Sequence, residues 1–72
     1  MTKEKFDEVI DYAISGEKEA VKFYQELQQR TKFQAQKVML KEFENMEKGH
    51  VVILENIRKK GIKNIRVKEV AN

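Results

Sequence analysis

The chain has 72 residues, of which 38% are charged, with a net charge of +3 and neither cysteine nor proline. The lack of cysteine excludes disulfides, thiolate zinc sites and iron–sulfur centres, and the charged first residues argue against a signal peptide or a membrane span. A domain of this size buries little apolar surface, so self-association is expected to supply additional core. This composition is typical of solvated helices, and we expect a cytoplasmic protein.

Two long helices are predicted in chain order. Thr2 is a candidate N-cap, and apolar residues then recur at helical spacing over about residues 3–30. A short connection at about 31–33 leads into a second periodic run over about 34–60. Gly61 is the predicted C-cap of that second helix. Because the connection is so short, the two helices should form an antiparallel hairpin.

The hairpin is predicted to occupy residues 1–61, and the remainder, 62–72, is a separate C-terminal tail. The tail contains aliphatic residues without a clear period. It is predicted to be a short strand, a docked extension or the start of a linker.

Polar side chains interrupt the apolar seam of each helix where leucine would be expected. The seam of the first helix runs through Phe6, Ile10, Ala13, Glu17, Ala20, Tyr24 and Leu27. The seam of the second helix runs through Leu40, Phe43, Glu47, His50, Leu54 and Ile57. Two carboxylates and an imidazole in such seams are costly to bury unless something binds them. The simplest binder is a metal ion.

Chain geometry predicts that Glu17, Glu47 and His50 lie at one height in the hairpin. With the turn at Phe33, Glu17 lies about 16 residues before it, and Glu47 and His50 lie about 14 and 17 residues after it. Glu47 and His50 also stand three positions apart and therefore share a helix face. All three could bind one metal centre.

One hairpin offers two carboxylates and one imidazole, so two hairpins around a twofold axis offer four carboxylates and two imidazoles. This is the ligand set of di-iron four-helix bundles, in which two helices each give a Glu and two others each give a Glu-x-x-His. Four carboxylates balance the charge of two divalent cations. We therefore predict an all-α hairpin that dimerises into a four-helix bundle with two iron ions per dimer.

Residues 16–24 read Gly-Glu-Lys-Glu-Ala-Val-Lys-Phe-Tyr, and residues 47–50 read Glu-Lys-Gly-His. On these motifs the chain resembles the rubrerythrin-like branch of the ferritin-like superfamily over about residues 6–60. The resemblance implies that Glu17 and Glu47 are carboxylate ligands and that His50 is an imidazole ligand. It also implies that Tyr24, one heptad after Glu17, stands behind the ligands with a catalytic or redox role.

Family members typically carry two copies of the motif, whereas this chain has one. It therefore resembles half-length members, including ferritin-like proteins packaged inside encapsulin shells, or the N-terminal half of a longer protein. Rubrerythrin's cysteine-rich electron-transfer module has no counterpart here, so a separate partner would supply electrons.

The expected function is that of a non-haem di-iron protein acting in iron oxidation or peroxide reduction, as a ferroxidase or a peroxidase-type oxidoreductase. Manganese and zinc are the alternative metals. The expected assembly is a homodimer or a higher even oligomer, without membrane association.

Other interpretations of the same residues remain. Glu17 would be solvated if the first helix were rotated, and Glu47 with His50 could form a surface ion pair. Glu19 and Glu44 would compete as ligands in a shifted register, although both are expected to face solvent.

A rival function rests on a basic stretch near the C-terminus, which could bind nucleic acid in a hairpin dimer. Its members are Arg58, Lys59, Lys60, Lys63, Arg66 and Lys68. They lack interleaved aromatic residues, which makes nucleic acid the less favoured partner. A purely structural assembly module is the other alternative, and it leaves three polar residues at one level of the core unexplained.

Overall fold

The computed structural model describes residues 1–61, which form two helices packed side by side as a hairpin. Helix α1 spans Lys3–Arg30 and helix α2 spans Gln34–Lys60, and no strand occurs within this part of the chain. The predicted all-α hairpin is confirmed. The prediction for residues 62–72 falls outside the described residues, and the division of the chain at Gly61 stays a prediction.

The helix ends are fixed by local hydrogen bonds of the kind that the sequence indicated. The Thr2 side-chain oxygen accepts a hydrogen bond from the backbone N–H of Lys5 at 3.1 Å, which caps α1. At the end of α2, the Gly61 N–H donates to the Ile57 carbonyl, and Gly61 adopts a positive φ of 83°. Residues with a side chain rarely adopt that φ, so glycine ends the helix here.

The connection between the helices is only three residues long and is organised by Thr31. The Thr31 hydroxyl donates to the side-chain oxygen of Gln36, and the backbone N–H of Phe33 donates to the Thr31 hydroxyl at 3.3 Å. Because the link is so short, the second helix runs antiparallel to the first and packs against it.

The seam between the helices buries little apolar surface. Among the described residues, only Phe6 and Leu40 are buried apolar side chains, and they remain 7% and 9% exposed. A single hairpin is one layer thick, so most seam residues are covered from one direction only. Neither helix has the combination of length and apolar character needed to cross a bilayer, among the residues described.

One flank of the seam is polar, and we call it the polar side. Gln25 and Gln28 of α1 donate hydrogen bonds to Glu44 of α2 on this flank. Arg58 of α2 forms ion pairs on the same flank with two acidic side chains near the start of α1, Asp7 at 3.1 Å and Asp11 at 2.8 Å. These contacts tie the two helices together without any apolar burial.

The opposite flank, which we call the apolar side, exposes large hydrophobic side chains from both helices. At about 100° per residue, these side chains lie across the seam from Gln25 on α1 and across the seam from Glu44 on α2. They are Val9, Tyr12, Phe23, Met39, Met46 and Ile53, each between 45% and 83% exposed. Because Gln25 and Glu44 contact each other, these side chains of the two helices face the same way.

Candidate metal centre

The three predicted ligands come together at mid-height of the hairpin. Nδ1 of His50 lies 3.1 Å from Oε1 of Glu47 and 3.6 Å from Oε1 of Glu17. One potential ligand atom from each residue lies within 4.8 Å of the others. Within residues 1–61, this is the one group of three histidine, cysteine, aspartate or glutamate residues close enough to hold a metal ion. The predicted common height of the three residues is thus observed.

The local structure explains this convergence. Glu47 and His50 are three positions apart on α2, which places both side chains on one helix face. Glu17 reaches them from α1, where it occupies a seam position between Ala13 and Ala20. The interpretation of Glu17 as a solvated residue on a rotated helix is therefore not supported.

The cluster opens outward rather than into a closed core. The side chains of Glu17, Glu47 and His50 remain 30%, 19% and 46% exposed. Around α2, His50 lies within about 60° of Ile53, so its side chain lies toward the apolar side. A groove of about 340 Å³ borders Glu17 on α1.

The two carboxylates influence each other's protonation. The hydrogen bond with Glu47, together with desolvation and the negative charge of Glu47, raises the pKa of Glu17 above its usual value of 4.5. The hydrogen bond from Glu17 and the adjacent His50 lower the pKa of Glu47. The pair therefore holds a proton between its two oxygens more readily than isolated glutamates would. A cation placed among these oxygens would take over that stabilising role.

The donor set fits a first-row transition metal. Carboxylate oxygens combined with an imidazole nitrogen suit iron, manganese or zinc. Three protein ligands also leave coordination positions open, as in metal sites that react with small molecules.

Tyr24 lies outside the ligand cluster. Its ring packs against the rings of Phe23 and Phe43, with centroids 5.7 Å and 5.5 Å away. These are contacts between aromatic rings in the seam, and they account for the position of Tyr24 by packing. Its proposed catalytic or redox role stays a prediction.

The expectation that Glu44 faces solvent is wrong. Glu44 is 2% exposed and is the one buried charged side chain among the described residues. Its Oε2 accepts from Gln25 at 2.9 Å and lies 2.8 Å from the Lys48 ammonium. Its Oε1 accepts from Gln28 at 2.8 Å and lies 3.5 Å from Lys41. Both oxygens are therefore occupied.

This network makes Glu44 a poor metal ligand. The hydrogen bond from Lys48, followed by those from Gln28 and Gln25, lowers the pKa of Glu44 to about 2. Lysine ammonium groups already balance the charge of this carboxylate, and both of its oxygens accept hydrogen bonds. A metal cation would therefore add little stabilisation. Glu19, the other competing residue, is exposed as expected.

A sequence signal for the burial of Glu44 did exist. Lys41 and Lys48 stand three positions before and four positions after it, both at distances that allow a helical ion pair. Gln25 and Gln28 form a matching pair of amide donors on α1. Taken together, these four residues mark Glu44 as a partnered carboxylate.

Two glutamates and a histidine from different helices, aligned at one height, are the kind of ligand set that carboxylate-bridged metal proteins use in helix bundles. Comparison with families of known proteins matches residues 8–72 to the family model described as Rubrerythrin. The chain therefore belongs to the rubrerythrin family, and membership indicates a di-iron carboxylate protein. The match continues through residues 62–72, beyond the part that carries the motifs. No curated protein and no solved structure matches the chain.

Proposed function

We propose that two copies of this chain pair through their apolar sides into a four-helix bundle that binds two iron ions. Glu17, Glu47 and His50 of each copy would be the ligands. The dimer would then act as a ferroxidase or as a peroxidase-type oxidoreductase. The observation that carries the proposal is the convergence of these three side chains within 4.8 Å.

The openness of the cluster supports a site shared between copies. One hairpin gives only two carboxylates and one imidazole, and all three side chains remain partly exposed. The two-metal arrangement needs four carboxylates and two histidines, which a second copy related by twofold symmetry would contribute. Glu47, which contacts both Glu17 and His50, is the best candidate to bridge two metals.

The apolar side supports the same arrangement. Exposed Met46 and Ile53 flank His50 on α2, and each is more than half exposed, at 51% and 56%. Large apolar side chains exposed together on one side of a protein support an interaction site there. Pairing of two such surfaces would cover these side chains and exclude water from the ligands at the same time.

Iron, when bound, supplies one-electron chemistry toward dioxygen or peroxide at the positions the protein leaves open. The chain's own contribution is to hold and orient the ligands and to set the pKa of Glu17. Glu47 raises the pKa of Glu17, and any proton that Glu17 holds would have to be released when metal binds. His50 presents Nδ1 to both carboxylates and therefore orients them toward a common point.

The partners in this proposal follow from the family and from the ligand set. An electron donor would be a separate protein, and an encapsulin shell would be a container for the dimers or higher even oligomers. The cytoplasm would be the compartment. Manganese and zinc remain the competing metals, since both accept the same donors.

The nucleic-acid alternative loses part of its basis. Arg58, the first residue of the basic stretch, makes ion pairs with Asp7 and Asp11 of α1 and so serves the hairpin itself. No contact within residues 1–61 favours a nucleic-acid partner over a metal.

Anaerobic loading with ferrous iron tests the proposal directly. Metal analysis combined with light scattering should give about two irons per pair of chains. On addition of peroxide or dioxygen, the loaded protein should consume the oxidant and develop a near-ultraviolet absorption. A monomer without iron would overturn the shared site, and tight zinc binding without reactivity after iron loading would indicate a structural metal instead.

A further inference from the structure

Glu44 is buried between α1 and α2, yet the proposed metal chemistry does not use it. We propose that Glu44 is a positioning residue: its hydrogen bonds to Gln25 and Gln28 fix the register of α1 against α2. That register brings the three metal ligands to one height. This inference rests on the proposed function only for its consequence, metal affinity, because register itself is a property of the metal-free hairpin.

The apolar seam alone leaves the register weakly determined. Its apolar residues recur at steps of three and four on both helices, so a slide by one turn would replace many apolar contacts with similar ones. The three-residue link limits such a slide but sets the register only approximately. One turn corresponds to about 5.4 Å along a helix. The ligand atoms lie within 4.8 Å of one another, so such a slide would separate Glu17 from its partners on α2.

The Glu44 network, in contrast, is specific to a single register. Lys41 and Lys48 lie on the same helix as Glu44, so a slide of α1 against α2 would leave their contacts with Glu44 unchanged. Gln25 and Gln28 lie on the other helix, and their amides reach opposite oxygens of the carboxylate at 2.9 Å and 2.8 Å. A slide by one turn would break this paired arrangement, because Gln25 and Gln28 would no longer stand opposite Glu44 together.

The loss of those donors would be costly because Glu44 is buried. In the observed register, no buried side-chain nitrogen or oxygen within residues 1–61 lacks a hydrogen-bond partner. A buried carboxylate deprived of its donors carries a large desolvation penalty. Polar groups buried in helical assemblies are best attested as devices that select one register over others.

Because each helix is continuous, the relative position of the helices at Glu44 also sets the relative position of the proposed metal ligands. Glu44 precedes Glu47 by less than one turn on α2, and Gln25 follows Glu17 by about two turns on α1. Both stretches are uninterrupted helix. Glu44 also lies about 120° from His50 around α2, on the polar side, so it can be replaced without altering the surface proposed to pair.

The test compares Glu44→Leu with Asn45→Leu, a control at the next position of the same helix, which is exposed and lies about 140° from His50 around α2. The metal-free readout is the nuclear Overhauser effect between the rings of Tyr24 and Phe43, whose centroids are 5.5 Å apart in the observed register. The second readout is ferrous-ion affinity from anaerobic calorimetry. We expect Glu44→Leu to stay helical, to lose the ring contact and to bind ferrous iron about 10–100-fold more weakly. Asn45→Leu should match wild type.

A double variant, Gln28→Glu with Glu44→Gln, provides rescue by exchanging the carboxylate and the amide across the helices. It should restore both the ring contact and the affinity. Unchanged ring contact and affinity in Glu44→Leu would overturn the inference. If Glu44→Leu does not fold, a folded double variant that lacks the ring contact would overturn it equally. If wild type binds no iron, the proposed function fails, whereas the ring contact still decides the role of Glu44.

Discussion

Nδ1 of His50 on α2 lies 3.6 Å from Oε1 of Glu17 on α1. This contact joins the two helices at their middle and does not arise from helix formation alone. It depends on the rotation of each helix about its axis and on the register between the helices. The pair therefore reports on the tertiary arrangement that the metal centre requires.

Removal of one ligand should abolish stable iron binding. We expect His50→Ala and Glu17→Ala to reduce ferrous-ion affinity by more than the roughly 10–100-fold seen when residues that only support metal ligands are replaced. Glu19→Ala is the control, because Glu19 is an exposed carboxylate two positions away. Iron per chain after anaerobic loading and gel filtration measures the effect. Loss of iron in Glu19→Ala but not in Glu17→Ala would mean that the other carboxylate is the ligand.

A charge placed on the apolar side should prevent pairing. Ile53 and Val52 are adjacent on α2 and equally exposed, at 56% each, but only Ile53 lies close to His50 around the helix. We expect Ile53→Glu to be a monomer and Val52→Glu to keep the wild-type mass, because a buried unpaired charge destabilises only the surface that pairs. Light scattering at micromolar concentration distinguishes them. Equal behaviour of the two variants would show that pairing uses another surface.

The sequence predicted both helices and their ends because the signals there are local. Thr2 before the first periodic run and Gly61 after the second each act on their own helix end, and the structure uses both. Glu17, Glu47 and His50 were predictable together because counting from a short turn gives the approximate height of each residue in a hairpin.

Glu44 was not predicted because its burial depends on the rotation of α2 to within one position. The nearest polar residues along the chain, Glu42 and Asn45, are exposed, and Phe43 fills the seam position, so Glu44 is expected to be solvated like them. Only the pairing of Glu44 with Gln25 and Gln28 of the other helix distinguishes it. Apolar periodicity indicates where a seam lies, but it does not indicate which polar residue is buried beside that seam.

The raised pKa of Glu17 predicts that the metal-free protein loses stability as pH rises. A group whose pKa is higher in the folded state contributes stability below its unfolded value of 4.5, and that contribution is lost as pH rises through the folded pKa. Glu17→Gln removes this loss, because its amide remains neutral and can donate to Glu47. We expect the metal-free variant to melt at a higher temperature than wild type at about pH 7, with the difference shrinking at acid pH.

Iron provides the complementary measurement for this variant. It should raise the melting temperature of wild type through preferential binding to the folded state, and it should have a smaller effect on Glu17→Gln. A Glu17→Gln variant that melts below wild type at neutral pH would show that the Glu17 carboxylate stabilises the metal-free hairpin. That result would contradict the inference that the proximity of Glu17 and Glu47 destabilises the metal-free protein when both carboxylates are ionised.

Glu44 predicts the opposite dependence on pH. Its pKa falls from 4.5 to about 2 on folding, chiefly through Lys48. A lowered pKa contributes stability above the unfolded value, and this contribution is lost as pH falls from 4.5 toward 2. Asp11, whose pKa is lowered by Arg58, adds to the same trend. We expect Glu44→Gln to be less stable at neutral pH and to show a flatter acid transition, whereas Glu42→Gln should follow wild type. Urea unfolding at several acid pH values measures this.

Two glycines predict stability changes of opposite sign. A Cβ added at Gly49, inside α2, would meet nothing within 4 Å, so Gly49→Ala should stabilise the metal-free protein by about 1 kcal/mol through helix propensity. Gly61 has equally open space but a φ of +83°, so Gly61→Ala should destabilise by about 1–3 kcal/mol through backbone strain. Urea unfolding at one fixed protein concentration compares both with wild type. If Gly49→Ala is destabilising while Gly61→Ala behaves as expected, a second chain must approach α2 closely at Gly49, and the paired surface would extend beyond the apolar side.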